Sequence, residues 1–126
     1  MLYTIKSRKT IEEIQSALEE SAARHKFGIL AVHNLRGTMK TKGVEFGTDC
    51  WIYEVCNPVQ AKKVLEANTA VSTALPCRIS VYGNQGSYTL ATILPTALMK
   101  MFPSAELEPV AQEVETVIKA MMKDAA

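Results

Sequence analysis

The stretch Trp51-Ile52-Tyr53-Glu54-Val55-Cys56-Asn57-Pro58, running on through Val59 to Ala67, decides the fold. Trp51 to Cys56 is rich in aromatic and β-branched residues, which suit a pleated, half-buried strand. Asn57 then reads as a helix N-cap, with Pro58 at the first helical position where its missing N–H costs nothing. Ala61, Val64 and Leu65 fall on the inward side of the helix that follows, to about Ala67. A strand that turns straight into an amphipathic helix is the unit from which layered folds of sheet and helix are built.

Upstream, Leu2 to Ile5 is a short strand, and Thr10-Ile11-Glu12-Glu13 matches a capping box. Ile11, Ile14, Leu18 and Ala22 share one stripe of a helix from Ile11 to about His25. Phe27 to Val32 is a strand, ending at Asn34-Leu35-Arg36-Gly37, and Met39 to Gly43 is a helical turn or a loop. Downstream, Leu75 to Tyr82 and Ser87 to Leu94 form a hairpin across Gly83-Asn84-Gln85-Gly86. Pro95 to Met101 gives one or two helical turns. Ser104 is the expected cap of a last helix whose apolar seam is Leu107, Val110, Val114, Val117 and Met121. The order β-α-β-β-α-β-β-α predicts an α+β fold: a single two-layer domain over residues 1–126, with helices packed on a sheet of about five strands.

Composition narrows the function. The chain has 126 residues, 48% hydrophobic and 21% charged, with a formal net charge of +1. That balance gives no global pull toward nucleic acid or an anionic membrane. Lys6, Arg8 and Lys9 cluster, but Glu12 and Glu13 follow at once. No segment approaches the roughly 20 apolar residues of a membrane-spanning helix. The start Met1-Leu2-Tyr3-Thr4-Ile5-Lys6 lacks the basic lead and apolar stretch of a signal peptide. The expectation is a cytoplasmic protein in which Cys50, Cys56 and Cys77 are thiols.

Cys56 and Cys77 carry the best chemical lead. Each lies where a strand meets a break, Cys56 before Asn57-Pro58 and Cys77 after Leu75-Pro76. A thiol beside a helix N-terminus is more easily ionised. If the two strands are neighbours, both thiols approach one rim of the sheet. Free cysteines are also among the most buried residue types, so packing alone is the competing reading. Arg78, next to Cys77, offers a guanidinium that with free amides at the Asn57 helix start could form an anion pocket; Lys42 is a second cation of interest.

The other chemistries are thinner. On strand alternation His33 lies with Ile29, Ala31 and Leu35, which makes it a weak haem or metal ligand candidate or a satisfied side chain near a strand end. His25 ends the first helix, where a cation suits the dipole. No G-x-S-x-G, phosphate-loop or dinucleotide pattern is present. Glu45 and Asp49 are expected in a solvated loop, and Glu54 turns outward from Tyr53 and Val55. Met99 and Met101, two apart, point to different sides of a helix, so core filling or a dimer contact explains them better than copper.

The stretch Tyr53-Glu54-Val55-Cys56-Asn57-Pro58 with Ala61 and Leu65, then Leu75-Pro76-Cys77 running into Val81-Tyr82, resembles the bacterial and archaeal family named domain of unknown function 302. Phe27-Gly28-Ile29-Leu30, Leu94-Pro95 and Leu98-Met99 extend the resemblance over nearly the whole chain. It implies a small α+β fold and a homodimer, with a function the family name leaves open. This chain departs from the usual pattern at Arg78, where asparagine is common, at Asn34, where aspartate is usual, and at His33, usually apolar.

Together these readings lead to a small homodimeric binding module without turnover. A rim of Cys56, Asn57, Pro76, Cys77 and Arg78 would take a small anion, a thiol adduct or a soft ligand. The alternatives are a thiol-based redox or sulfur-transfer protein, with Cys56 as nucleophile and Cys77 as resolving partner, and a haem or metal carrier using His33. No cofactor is assigned by the sequence.

Overall fold

The computed structural model describes residues 1–126. Five strands form one antiparallel sheet in the order β1-β5-β4-β3-β2: β1 Leu2–Ser7, β2 Gly28–Asn34, β3 Asp49–Cys56, β4 Cys77–Asn84 and β5 Ser87–Ile93. The helices are α1 Ile11–Arg24, α2 Leu35–Thr41, α3 Pro58–Ala67, α4 Pro95–Met99 and α5 Leu107–Ala125, with a 3₁₀ turn at Thr69–Ala74. The α+β class and the five-stranded sheet are as expected.

Local chemistry explains the element ends. The Thr10 hydroxyl accepts from Glu13 N while the Glu13 carboxylate accepts from Thr10 N, closing the capping box. At the other end of α1, Lys26 adopts a positive φ of 62° and Phe27 N reaches back to Ala22 O, the Schellman way of satisfying last-turn carbonyls. His25 caps that end as anticipated, its Nδ1 2.8 Å from Ser21 O. Asn84 and Ser87 pair across the hairpin, leaving Gln85-Gly86 as the turn. Gly83, at φ 134°, has no alternative residue, because a Cβ there would run into Ser87 O.

One face of the sheet is covered. Tyr53, Val55, Ile79, Val81 and Leu90 lie on it, fully buried under Ile14, Leu18 and Ala22 of α1 and Ile118, Met121, Met122 and Ala125 of α5. At about 25 cal/mol per Å² of apolar surface, each such side chain contributes roughly 1.5–3 kcal/mol. The end of α5 is tied down by polar contacts: Ser21 donates to Asp124 at 2.7 Å and Ser7 to Ala126 O at 3.2 Å. A smaller cluster of Val64, Val71, Met99, Leu107 and Ala111 joins α3, the 3₁₀ turn, α4 and the start of α5.

Several expectations are corrected. The segment after β2 is a helix from Leu35, earlier than the Met39 turn expected, because Asn34 caps it by accepting from Gly37 N. Ser104 does not cap α5; that helix begins at Leu107 with no side-chain cap. Its buried stripe is Leu107, Ala111, Ile118, Met121, Met122 and Ala125, while Val110, Val114 and Val117 lie half-buried on its flank. Met99 is buried and Met101 exposed, so the two do diverge.

Candidate functional site

A β-bulge relocates His33. The register of β2 against β3 shifts between Ile29 and Ala31, so Ile29 pairs with Val55 but Val32, not Ala31, faces Tyr53. Strict alternation puts His33 beside Ile29; the extra residue at Leu30 sends it to the opposite, helix-free face with Ile52 and Glu54. There His33 Nε2 lies 3.0 Å from Glu54 Oε2, and Arg78 Nε approaches the same oxygen at 4.0 Å. Glu54 thus holds a histidine and an arginine on an open surface. No group of three or more His, Cys, Asp or Glu side chains converges where a metal ion could be held.

The cysteines are on neighbouring strands, as the lead required. Cys56 closes β3, Cys77 opens β4, and Cys77 pairs with Val55, one residue from Cys56. All three cysteines are free thiols and partly buried. Their electrostatics run against the expectation of an activated thiolate. Burial pushes the Cys56 thiol up, and burial together with the neighbouring Cys56 pushes Cys77 to about 11. Desolvation outweighs the helix dipole, which acts only within the first turn and is already answered by the cap.

That cap also removes the anion pocket built on free amides. Asn57 Oδ1 accepts from both Val59 N and Gln60 N, at 3.0 and 3.1 Å, and Asn57 O takes Ala61 N. Pro58 has no N–H to offer, so the first turn of α3 has no vacant donor for a ligand.

The five rim residues do not enclose one space. Cys56, Asn57, Pro76 and Cys77 border a slot of about 40 Å³ closed by Gln60, Val64 and Leu75. Pro76, Cys77 and Arg78 border a second hollow of about 270 Å³ at the rim below β4 and β5, roofed by the 3₁₀ turn and α4. The Arg78 side chain is 59% exposed there, and Leu98, Met101 and Phe102 supply an apolar wall. Arg78 and Asn57 share neither space.

The opposite end of β3 holds a larger cavity that the sequence reading passed over. Asp49 is not in a solvated loop; it is the first residue of β3, on the same face as Trp51, Tyr53 and Val55. The Tyr88 hydroxyl donates to Asp49 Oδ2 at 2.7 Å, and Arg36 Nη1 donates to Oδ1 at 2.7 Å. Those two bonds hold the Asp49 carboxyl below the ordinary aspartate range. Burial, with the Asp49 bond second, pushes the Tyr88 hydroxyl up to about 12. Beside this cluster a cavity of about 340 Å³ opens between α2, the loop at 44–46 and β3. The signal was present in the spacing: an acid two residues before Trp51 and four before Tyr53 falls on the covered face, where a carboxylate requires donors.

A two-layer α+β fold of a five-stranded antiparallel sheet, with two unlike hollows at its ends, defines the class. The chain belongs to the domain of unknown function DUF302 family, whose profile matches residues 3–125. It is similar to the crystal structure of an uncharacterised conserved DUF302 protein from Bacillus stearothermophilus, with a TM-score of 0.92 and 31% identity over 99% of this chain and 98% of that one. No curated protein matches it.

Proposed function

We propose that the chain works as one domain, a small homodimeric binding module of the cytoplasm without turnover of its own. Its ligand site is the 270 Å³ hollow beside Pro76, Cys77 and Arg78. The observation that carries this reading is the pairing of an exposed guanidinium, only loosely engaged at 4.0 Å by Glu54, with an apolar wall of Leu98 and Phe102. A carboxylate with a short apolar tail satisfies both, the charge at Arg78 and the tail against the wall. The redox alternative needs a thiol held below its ordinary value, and burial moves Cys56 and Cys77 the other way.

Titration calorimetry with hexanoate tests the site. Saturable binding is expected, weakened at least about tenfold in Arg78→Ala, the loss of one charge-assisted contact of ~1.5–3 kcal/mol. Unchanged binding in that variant removes Arg78 from the site. For the dimer, the helix-free face brings Leu2 and Ile93 together as a cross-strand pair, both more than half exposed. Two copies of that face would cover each other's apolar pair. Sedimentation of Ile93→Lys is expected to give monomer where the parent chain gives dimer; a parent chain that sediments as monomer ends this part of the reading.

A further inference from the structure

We infer that the cavity at the Asp49 end of β3 is a second binding site, built for a small zwitterion with an aromatic or apolar body, the chemistry of a free amino acid. Asp49 and Cys56 stand at opposite ends of one strand, about 23 Å apart at ~3.3 Å per residue, so this cavity is separate from the Cys77 hollow.

The charges lining the cavity fall into two kinds. Arg36 and Asp49 are engaged with each other at 2.7 Å, and Tyr88 secures the other Asp49 oxygen. That pair is a fixed wall of the cavity, neutral in sum. Lys40 and Glu45 line the same cavity and take part in no ion pair. A ligand that enters therefore meets one unspent cation and one unspent anion. A simple anion is attracted by Lys40 and repelled by Glu45, and a simple cation the reverse. A molecule carrying both signs answers both.

The rest of the lining supplies the body's partner. Trp51 is half-buried on β3, and Phe46 is exposed from the loop, so two rings border a space whose other apolar wall includes Ile11 at the start of α1. A volume of about 340 Å³ lies at the small end of the usual range for ligand pockets and admits a molecule of amino-acid size. Two rings bordering such a space favour an aromatic or branched apolar body.

Trp51 is the chain's one tryptophan, so its emission reports on this cavity alone. The full chain is titrated with L-phenylalanine, with 3-phenylpropionate, which keeps only the negative group, and with phenethylamine, which keeps only the positive one. A saturable change in Trp51 emission is expected with L-phenylalanine. Each single-charge analogue is expected to bind about two- to fivefold more weakly, the range conveyed by one solvent-screened ion pair. Lys40→Ala and Glu45→Ala, both exposed and outside the core, should each weaken L-phenylalanine by a similar factor while the thermal midpoint stays put. Hexanoate binding at the Arg78 hollow should be unaffected by either, which separates failure of this site from failure of the other. The inference is overturned by an absent or linear response to L-phenylalanine, by equal binding of either analogue, or by indifference to both substitutions.

Discussion

At the Asp49 end of β3, two donors converge on a single carboxylate; at the Cys56 end, two thiols are held in apolar surroundings beside a helix start whose amides are all taken. Both ends place polar atoms near the covered layer, and they satisfy the resulting cost by different routes. A carboxylate stays charged, so it must be given partners, and those partners order α2 and β5 around it. A thiol avoids the cost by remaining protonated, and burial alone ensures that. The first route leaves a rigid polar wall with free charges nearby. The second leaves a quiet, mostly apolar lining.

The contrast can be broken most sharply at Cys77. A thiol raised from 9.0 to about 11 carries about a hundredfold less thiolate at pH 8 than the same residue in an unfolded chain. Its alkylation by iodoacetamide should slow by at least that factor on folding, followed by mass spectrometry of the Cys77 peptide. Equal rates with and without urea would refute the buried, neutral thiol. The linkage has a definite sign: the unfolded chain releases this proton first, so stability is full below about pH 9 and declines as pH rises toward 11. Tyr53 and Tyr88, both raised to about 12, extend the decline upward.

Asp49→Ala comes next. It strands the Tyr88 hydroxyl, which belongs to a buried residue, and frees Arg36, and is expected to cost ~1–3 kcal/mol in urea unfolding. A neutral result would mean that the carboxylate is not the organising group at that end. Because Asp49 is held below the ordinary aspartate range, its contribution is present above about pH 4 and is lost as pH falls through its folded value. The smallest effect is Asn57→Ala, about 1 kcal/mol for a lost N-cap. It should leave hexanoate binding unchanged, since Asn57 does not border the Arg78 hollow.

The fold was legible where one local rule settled one element. Thr10 and Glu13 close their box, and Asn57-Pro58 starts its helix at the expected residue. The hairpin of β4 and β5 forms where its turn residues indicated, whereas the pairing of β3 with β4, which brings the two motifs close, was left open by the sequence. What escaped depended on partners distant in sequence. Asp49 looked solvated because Tyr88, 39 residues away, could not be seen to reach it. His33 was assigned the wrong face because a single inserted residue at Leu30 reverses an alternation that the sequence displays as unbroken. The rim came apart because Arg78 borders the hollow below β4 and β5 while Cys56 and Asn57 border a separate slot, and because Asn57 consumes the amides it was expected to share.

The irregularity at Leu30 has a second effect. β2 is an outermost strand, and an outermost strand with an even row of vacant backbone groups invites another chain to zip alongside it. One extra residue puts that row out of step, so an incoming segment finds matching donors and acceptors over only part of its length. Lateral growth into a continuous ribbon along the β2 edge is thereby discouraged.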